Sequence, residues 1–158
     1  MAAGTLIHLS AREFKVGDTI APGNWGTILR SIGMGHHCWK RECSLEEIRH
    51  AEFPIKPCRY DAAFCFTNFA SAAWWWRHER HSDRWYAVQV VDTSLPIHVG
   101  DFLGVQMIEG VDASPEAAAR RYWSNGKPRF TAPDGTLINE LVTASALLVV
   151  EIMAPPSE

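Results

Sequence analysis

No apolar run in this sequence reaches the length of a bilayer span, so a transmembrane helix is excluded. The N-terminus lacks the charged, apolar and small-residue succession of a secretory signal, which leads us to expect a cytoplasmic protein. Cysteine is scarce. Cys38, Cys43, Cys58 and Cys65 include no CxxC pair, and in a cytoplasmic setting they read as reduced thiols. Neither GxGxxG nor GxxxxGK[S/T] occurs, so the two common phosphate-cradling loops are missing. There is no excess of positive charge either: a net charge of -3 gives no global case for nucleic-acid binding. Internal repeats, low-complexity tracts and linkers are also absent. One domain over residues 1–158 is therefore expected, with a frayed tail from about residue 153.

The chain does have the material for a core. Its 158 residues are 47% hydrophobic and 21% charged, an ordinary globular balance. Seven tryptophans are many for this length, so some should line a pocket or an interface. Thr5–Leu9 is a β-prone run in which Ile7 and Leu9 face the core and His8 the other side. Residues 14–23 read as turn, short strand, turn, and Gly23, Gly26, Gly33 and Gly35 predict irregular chain beyond. Ser44-Leu45-Glu46-Glu47 is a capping-box pattern that predicts a helix from Ser44 to about Phe53. Strands are expected over 60–67 and 85–91, with a helix over 70–81 between them. One or two further strands are expected over 97–109, and Ser114-Pro115-Glu116 predicts another helix start. Elements of both kinds without strict βαβ repetition predict an α+β domain with a mainly antiparallel or mixed sheet.

Three groups of residues invite chemistry. Gly35-His36-His37-Cys38, with Cys43 beyond, has zinc-ligand types. Neighbours on an extended chain point opposite ways, however, and a second ligand pair at normal spacing is missing, so no metal site is expected. On a helix, Trp74, Trp75 and Trp76 cannot all face one stripe, so at least one should meet something other than the core. Leu137–Val142 places Glu140 alone in an apolar strand. An unpaired charge there costs several kcal/mol, on the order of a buried polar group or more. Such a residue therefore calls for a partner or a task.

In order along the chain, Leu6-Ile7-His8, Phe64-Cys65-Phe66-Thr67 with Ser71-Ala72-Ala73-Trp74, and Asn139-Glu140-Leu141-Val142 resemble motifs of one superfamily. These are the stations of the ADP-ribosyltransferases, in the histidine–tyrosine–glutamate branch of diphtheria-type toxins, poly(ADP-ribose) polymerases and rifampin-modifying enzymes. Gly17-Asp18-Thr19-Ile20-Ala21-Pro22-Gly23 is similar to a segment of the rifampin group. The resemblance implies a split, bent β-sheet core with NAD as substrate. Glu140 and His8 would be the catalytic residues. His8 would bond a ribose hydroxyl and the backbone at Leu9 the nicotinamide amide. Cys65 stands where the branch has its tyrosine, so Tyr60, Phe66, Trp74 or Trp75 would supply the ring face, with Ser71 alongside. Trp123 and Arg129, in and after the last predicted helix, would recognise the acceptor. An NAD-dependent transferase acting on a protein or nucleic acid follows, in the manner of a bacterial or phage effector toxin delivered into a target cell. Its alternatives are an NAD glycohydrolase and a non-catalytic binding module on the same fold.

Overall fold

A computed structural model describes residues 4–106, 112–126 and 130–157. Seven strands form one antiparallel sheet: β1 (Leu6–Ser10), β2 (Thr19–Ile20), β3 (Ala63–Phe66), β4 (Arg84–Val90), β5 (Ile97–Asp101), β6 (Asn139–Thr143) and β7 (Leu147–Met153). Their order is β2-β7-β4-β1-β3-β6-β5, so the α+β class expected from the mixed patterning is found. Five helices accompany the sheet: α1 (Asn24–Ile32), α2 (Trp39–Glu52), α3 (Phe69–Glu79), α4 (Phe102–Gln106) and α5 (Pro115–Ser124). None is long and apolar enough to cross a membrane.

The two-residue period of the strands sorts the core into two faces. On one face Ile7, Phe66 and Trp85 pack with Ala72, Ala73 and Trp76 of α3, and with Phe102, Leu103 and Ile138. On the other, Cys65, Leu141, Tyr86, Val88, Leu147 and Val149 gather with Ile20. A third cluster joins α2 and α5 through Leu45, Ile48, Ala119, Tyr122 and Trp123. The central strand is paired unevenly. β1 matches β4 over five residue pairs, from Leu6↔Val88 to Ser10↔Arg84, but meets β3 only at Ile7↔Phe66. The β1–β3 ladder is thus a single residue pair, the shortest in the sheet.

Several boundaries differ from the sequence reading. Ser44 is no cap: α2 begins five residues earlier, at Trp39, and runs through it. The glycine-rich stretch is irregular only at its ends: α1 runs from Asn24 to Ile32 between Gly23 and Gly33, and a 3₁₀ turn follows at Gly33–Gly35. Gly26 is buried there for a packing reason. A Cβ at this position would lie 2.0 Å from the Tyr60 carbonyl oxygen, so only glycine lets α1 reach the Arg59–Asp61 turn. Residues 97–106 hold one strand and then α4, not two strands. The Ser114 cap holds: its Oγ accepts from the Ala117 N–H at 3.1 Å, and Asn125 closes α5 in the left-handed conformation.

Gly26→Ala should lower the unfolding free energy by about 3 kcal/mol, since the clash is with backbone and no rotamer relieves it. Urea titration followed by circular dichroism reads this; an unchanged midpoint would mean that α1 does not pack on Tyr60 as described.

Candidate functional site

Glu140 sits on β6 between two strands, and the register fixes its neighbours. Gly100 of β5, Glu140, Phe66 of β3 and Ile7 of β1 form one cross-strand row and share one face. Gly100 leaves a gap in that row. The Tyr122 ring of α5 fills it, for a Cβ at Gly100 would lie 2.3 Å from the ring. Tyr122 thereby reaches the carboxylate and donates its hydroxyl to Glu140 Oε1 at 2.6 Å. Arg59, from the turn before β3, donates Nη1 to the same oxygen and to the Tyr122 hydroxyl at 2.8 Å. Its other edge bonds Glu42 of α2 twice, Nε at 2.9 Å and Nη2 at 3.2 Å. Arg41 adds a contact to Glu42 Oε1 at 2.9 Å.

The result is a buried cluster of two carboxylates, two guanidiniums and a phenol. Glu42, Arg59, Tyr122 and Glu140 are each 4% exposed or less. Burial pushes the Glu42 carboxyl up, but the Arg59 and Arg41 charges more than offset it and hold it below the usual carboxylate range. Burial opposes the charge on Arg59, and Glu140 and Glu42 together keep it firmly protonated. Burial, against the pull of Arg59, pushes the Tyr122 hydroxyl well above its usual value, so it remains a proton donor. The partner that the lone strand carboxylate demanded is Arg59. The sequence offered no pattern for it, since Arg59, Glu42 and Tyr122 come from three separate elements.

His8 lies elsewhere. It alternates with Ile7 and Leu9 and faces the opposite side of the sheet from Glu140. Its Nδ1 donates to the Phe64 carbonyl oxygen of β3 at 2.8 Å. Burial lowers its pKa, and the Phe64 carbonyl and the Asp83 charge only partly restore it. The ring is therefore neutral near pH 7, with the Nε2 lone pair available as an acceptor. Phe14 approaches the ring edge at 6.4 Å.

The other expected site residues scatter. Phe66 is buried against Phe102 at 5.4 Å and offers no free ring face. Cys65 is buried on the His8 side; burial, and then the charge of Glu140, push its thiol up to about 12, which removes it as a nucleophile. Ser71 is fully buried and ties α3 to β6: its Oγ donates to Leu137 O at 3.2 Å and accepts from Asn139 N at 3.3 Å. Tyr60 bonds the Cys43 sulfur at 3.8 Å beside Glu46, Glu47 and His50, away from His8. Trp74 and Trp75 are half-buried on α3, one stacked on His78 and one set edge-on against Phe102. Leu9 is half-buried beside α3's cluster. Trp123 cannot read an acceptor, because it is 1% exposed and donates Nε1 to Leu45 O at 2.8 Å. Arg129 lies outside the described residues. Arg120 pairs with Glu52, and Arg121 with Asp112.

His98, on β5, borders the cluster. Its Nε2 donates to Tyr122 O at 3.1 Å and its Nδ1 meets Lys56 Nζ at 3.2 Å. Burial and the Lys56 charge lower its pKa from 6.5 to about 4.

A family model described as "Protein of unknown function (DUF2441)" matches residues 18–151. The matched segment contains Glu42, Arg59, Tyr122 and Glu140 and begins after β1, which carries His8. Comparison with curated proteins gives no match.

Two outcomes follow for stability. Arg59→Met should cost about 3–5 kcal/mol, because it strands two buried carboxylates, whereas Glu140→Gln should cost less, since Arg59 keeps Glu42 and the amide oxygen still accepts. Equal losses in chemical denaturation would show that the cluster does not share Arg59 in this way. Acid provides the second outcome. Above pH 6.5 His98 is neutral folded or unfolded. Between 6.5 and about 4 only the unfolded chain takes the proton, so stability falls with pH and levels off below about 4. The full loss is about 3 kcal/mol. His98→Gln should flatten that slope, and an unaltered slope would rule His98 out as its source.

Proposed function

The chain belongs to the DUF2441 family, and for it we propose NAD-dependent ADP-ribosyl transfer centred on the short ladder between β1 and β3. The observation that carries this reading is the placement of the three stations. His8 is on β1 beside the single β1–β3 pair, Phe64–Phe66 on β3 and Glu140 on β6, three neighbouring strands; His8 and Glu140 face opposite sides, so one NAD meets both only through an opening of that short ladder. A neutral imidazole whose Nδ1–H is engaged presents Nε2 as an acceptor, which suits a ribose hydroxyl. The backbone of β1 at Leu9 is the part that would hold the carboxamide. Cleavage of the nicotinamide–ribose bond leaves positive charge on the sugar, and nicotinamide departs as a neutral molecule. A fixed carboxylate stabilises that charge, the role assigned to Glu140. The acceptor oxygen or nitrogen then bonds the anomeric carbon and loses its proton.

Chemistry from Glu140 requires Arg59 to give up Oε1. The two bonds from Arg59 to Glu42 offer a resting position for the guanidinium when it does so.

A second reading, a non-catalytic binding module, is favoured by one observation: Glu140 points to the helix-covered face and its Oε1 is held by both Arg59 and Tyr122. Nicotinamide release from NAD separates the two. Transfer or hydrolysis predicts release that falls by about 10²–10³ in Glu140→Gln, the scale of losing one transition-state contact. His8→Ala should mainly weaken NAD use at low concentration. No release by the native chain, with no thermal shift on adding NAD, supports the module; release unchanged in Glu140→Gln removes Glu140 from the chemistry.

A further inference from the structure

The sequence reading set aside His36-His37-Cys38 because an extended chain would send these side chains apart. The chain there is not extended. A 3₁₀ turn at Gly33–Gly35 leads into a turn closed by Trp39 N–H to His36 O at 3.0 Å, and α2 begins at once. The turn folds the three side chains onto one side. A nitrogen of His36, a nitrogen of His37 and the Cys38 sulfur all lie within 4.8 Å of one another. We propose that this turn is a metal site for a borderline or soft divalent ion such as zinc, with His36, His37 and Cys38 as its three protein ligands.

Ligand chemistry and placement both point this way. Two imidazoles and one thiolate suit zinc and the metals near it, and three protein ligands leave the fourth position to water or another small donor. Cys38 is 7% exposed, His36 half-buried and His37 exposed, so the cluster has a closed floor and an open mouth. The floor is organised. The edge of Trp25 from α1 packs against the His36 ring at 5.2 Å, and the His37 ring stacks on it at 4.6 Å. His36 Nδ1 accepts the Cys38 N–H at 3.0 Å, so ligation by His36 would require that bond to break or the ring to bind through Nε2 with its proton moved. At Cys38 burial raises the thiol pKa, and the Arg41 guanidinium one turn along α2 acts against it. A bound metal would displace the thiol proton outright. Cys43, one turn further along α2, bonds the Tyr60 hydroxyl and takes no part. The site is independent of the nicotinamide chemistry proposed above.

Cobalt(II) titrated into the reduced full-length chain tests this. The expected result is saturation at a single equivalent, with a thiolate-to-cobalt charge-transfer band that zinc bleaches. Cys38→Ser should abolish the band. His37→Gln, at an exposed position that the fold does not need, should weaken binding about tenfold or more. Cys43→Ser and Cys58→Ser should keep the band. Absence of the band in the native chain, its survival in Cys38→Ser, its loss in Cys43→Ser, or unchanged affinity in His37→Gln would each overturn the proposal.

Discussion

One guanidinium holds four elements together. Arg59 leaves the turn before β3, pairs with Glu42 of α2 on one edge, and on the other meets Glu140 of β6 and the Tyr122 hydroxyl of α5. Arg59, Glu42, Tyr122 and Glu140 are all out of water, so each charge depends on the others. The charges balance, two carboxylates against Arg59 and Arg41, which is the condition for such a cluster to be tolerated at all. Its geometry also rests on glycine. Gly100 allows Tyr122 to lie on the sheet, and Gly26 allows α1 to close on the turn that carries Arg59.

Under the proposed chemistry the same cluster would govern activity. A carboxylate that acts on a sugar must be fixed and charged, and Glu140 is held in place by two donors to one oxygen. A carboxylate so engaged also resists a substrate. The proposed chemistry therefore links activity to the balance of Arg59 between Glu140 and Glu42. His8, to which the proposal gives substrate recognition, lies on the other face of the sheet.

Much of the scaffold was legible because it rests on local rules. The aromatic and β-branched residues of 85–91 gave β4, the Ser114-Pro115 cap gave α5, and Ile7 and His8 fell on opposite faces as their spacing required. The misses have a common cause in tertiary contact. Of the glycines read as breakers, Gly26 became part of α1, where its missing side chain leaves room for the Tyr60 carbonyl, while Gly23 and Gly33 cap its ends. A cap pattern at Ser44 was overridden by a turn that starts α2 at Trp39. In the site, a strand carboxylate correctly signalled a missing cation, but which cation could not be read, since Arg59 lies 81 residues away in sequence. Trp123, expected to face an acceptor, instead serves the α2–α5 core.

The placement of NAD at the β1–β3 ladder is the central claim, and isotope-labelled nuclear magnetic resonance with NAD added tests it most directly. The expected result is a set of shifts at His8, Leu9 and Phe64 together with Glu140 and Arg59, with the His8 side-chain nitrogens moving as Nε2 gains a hydroxyl partner. An unperturbed spectrum, or shifts gathered on α5 and its neighbours with the β1–β3 ladder silent, would contradict it.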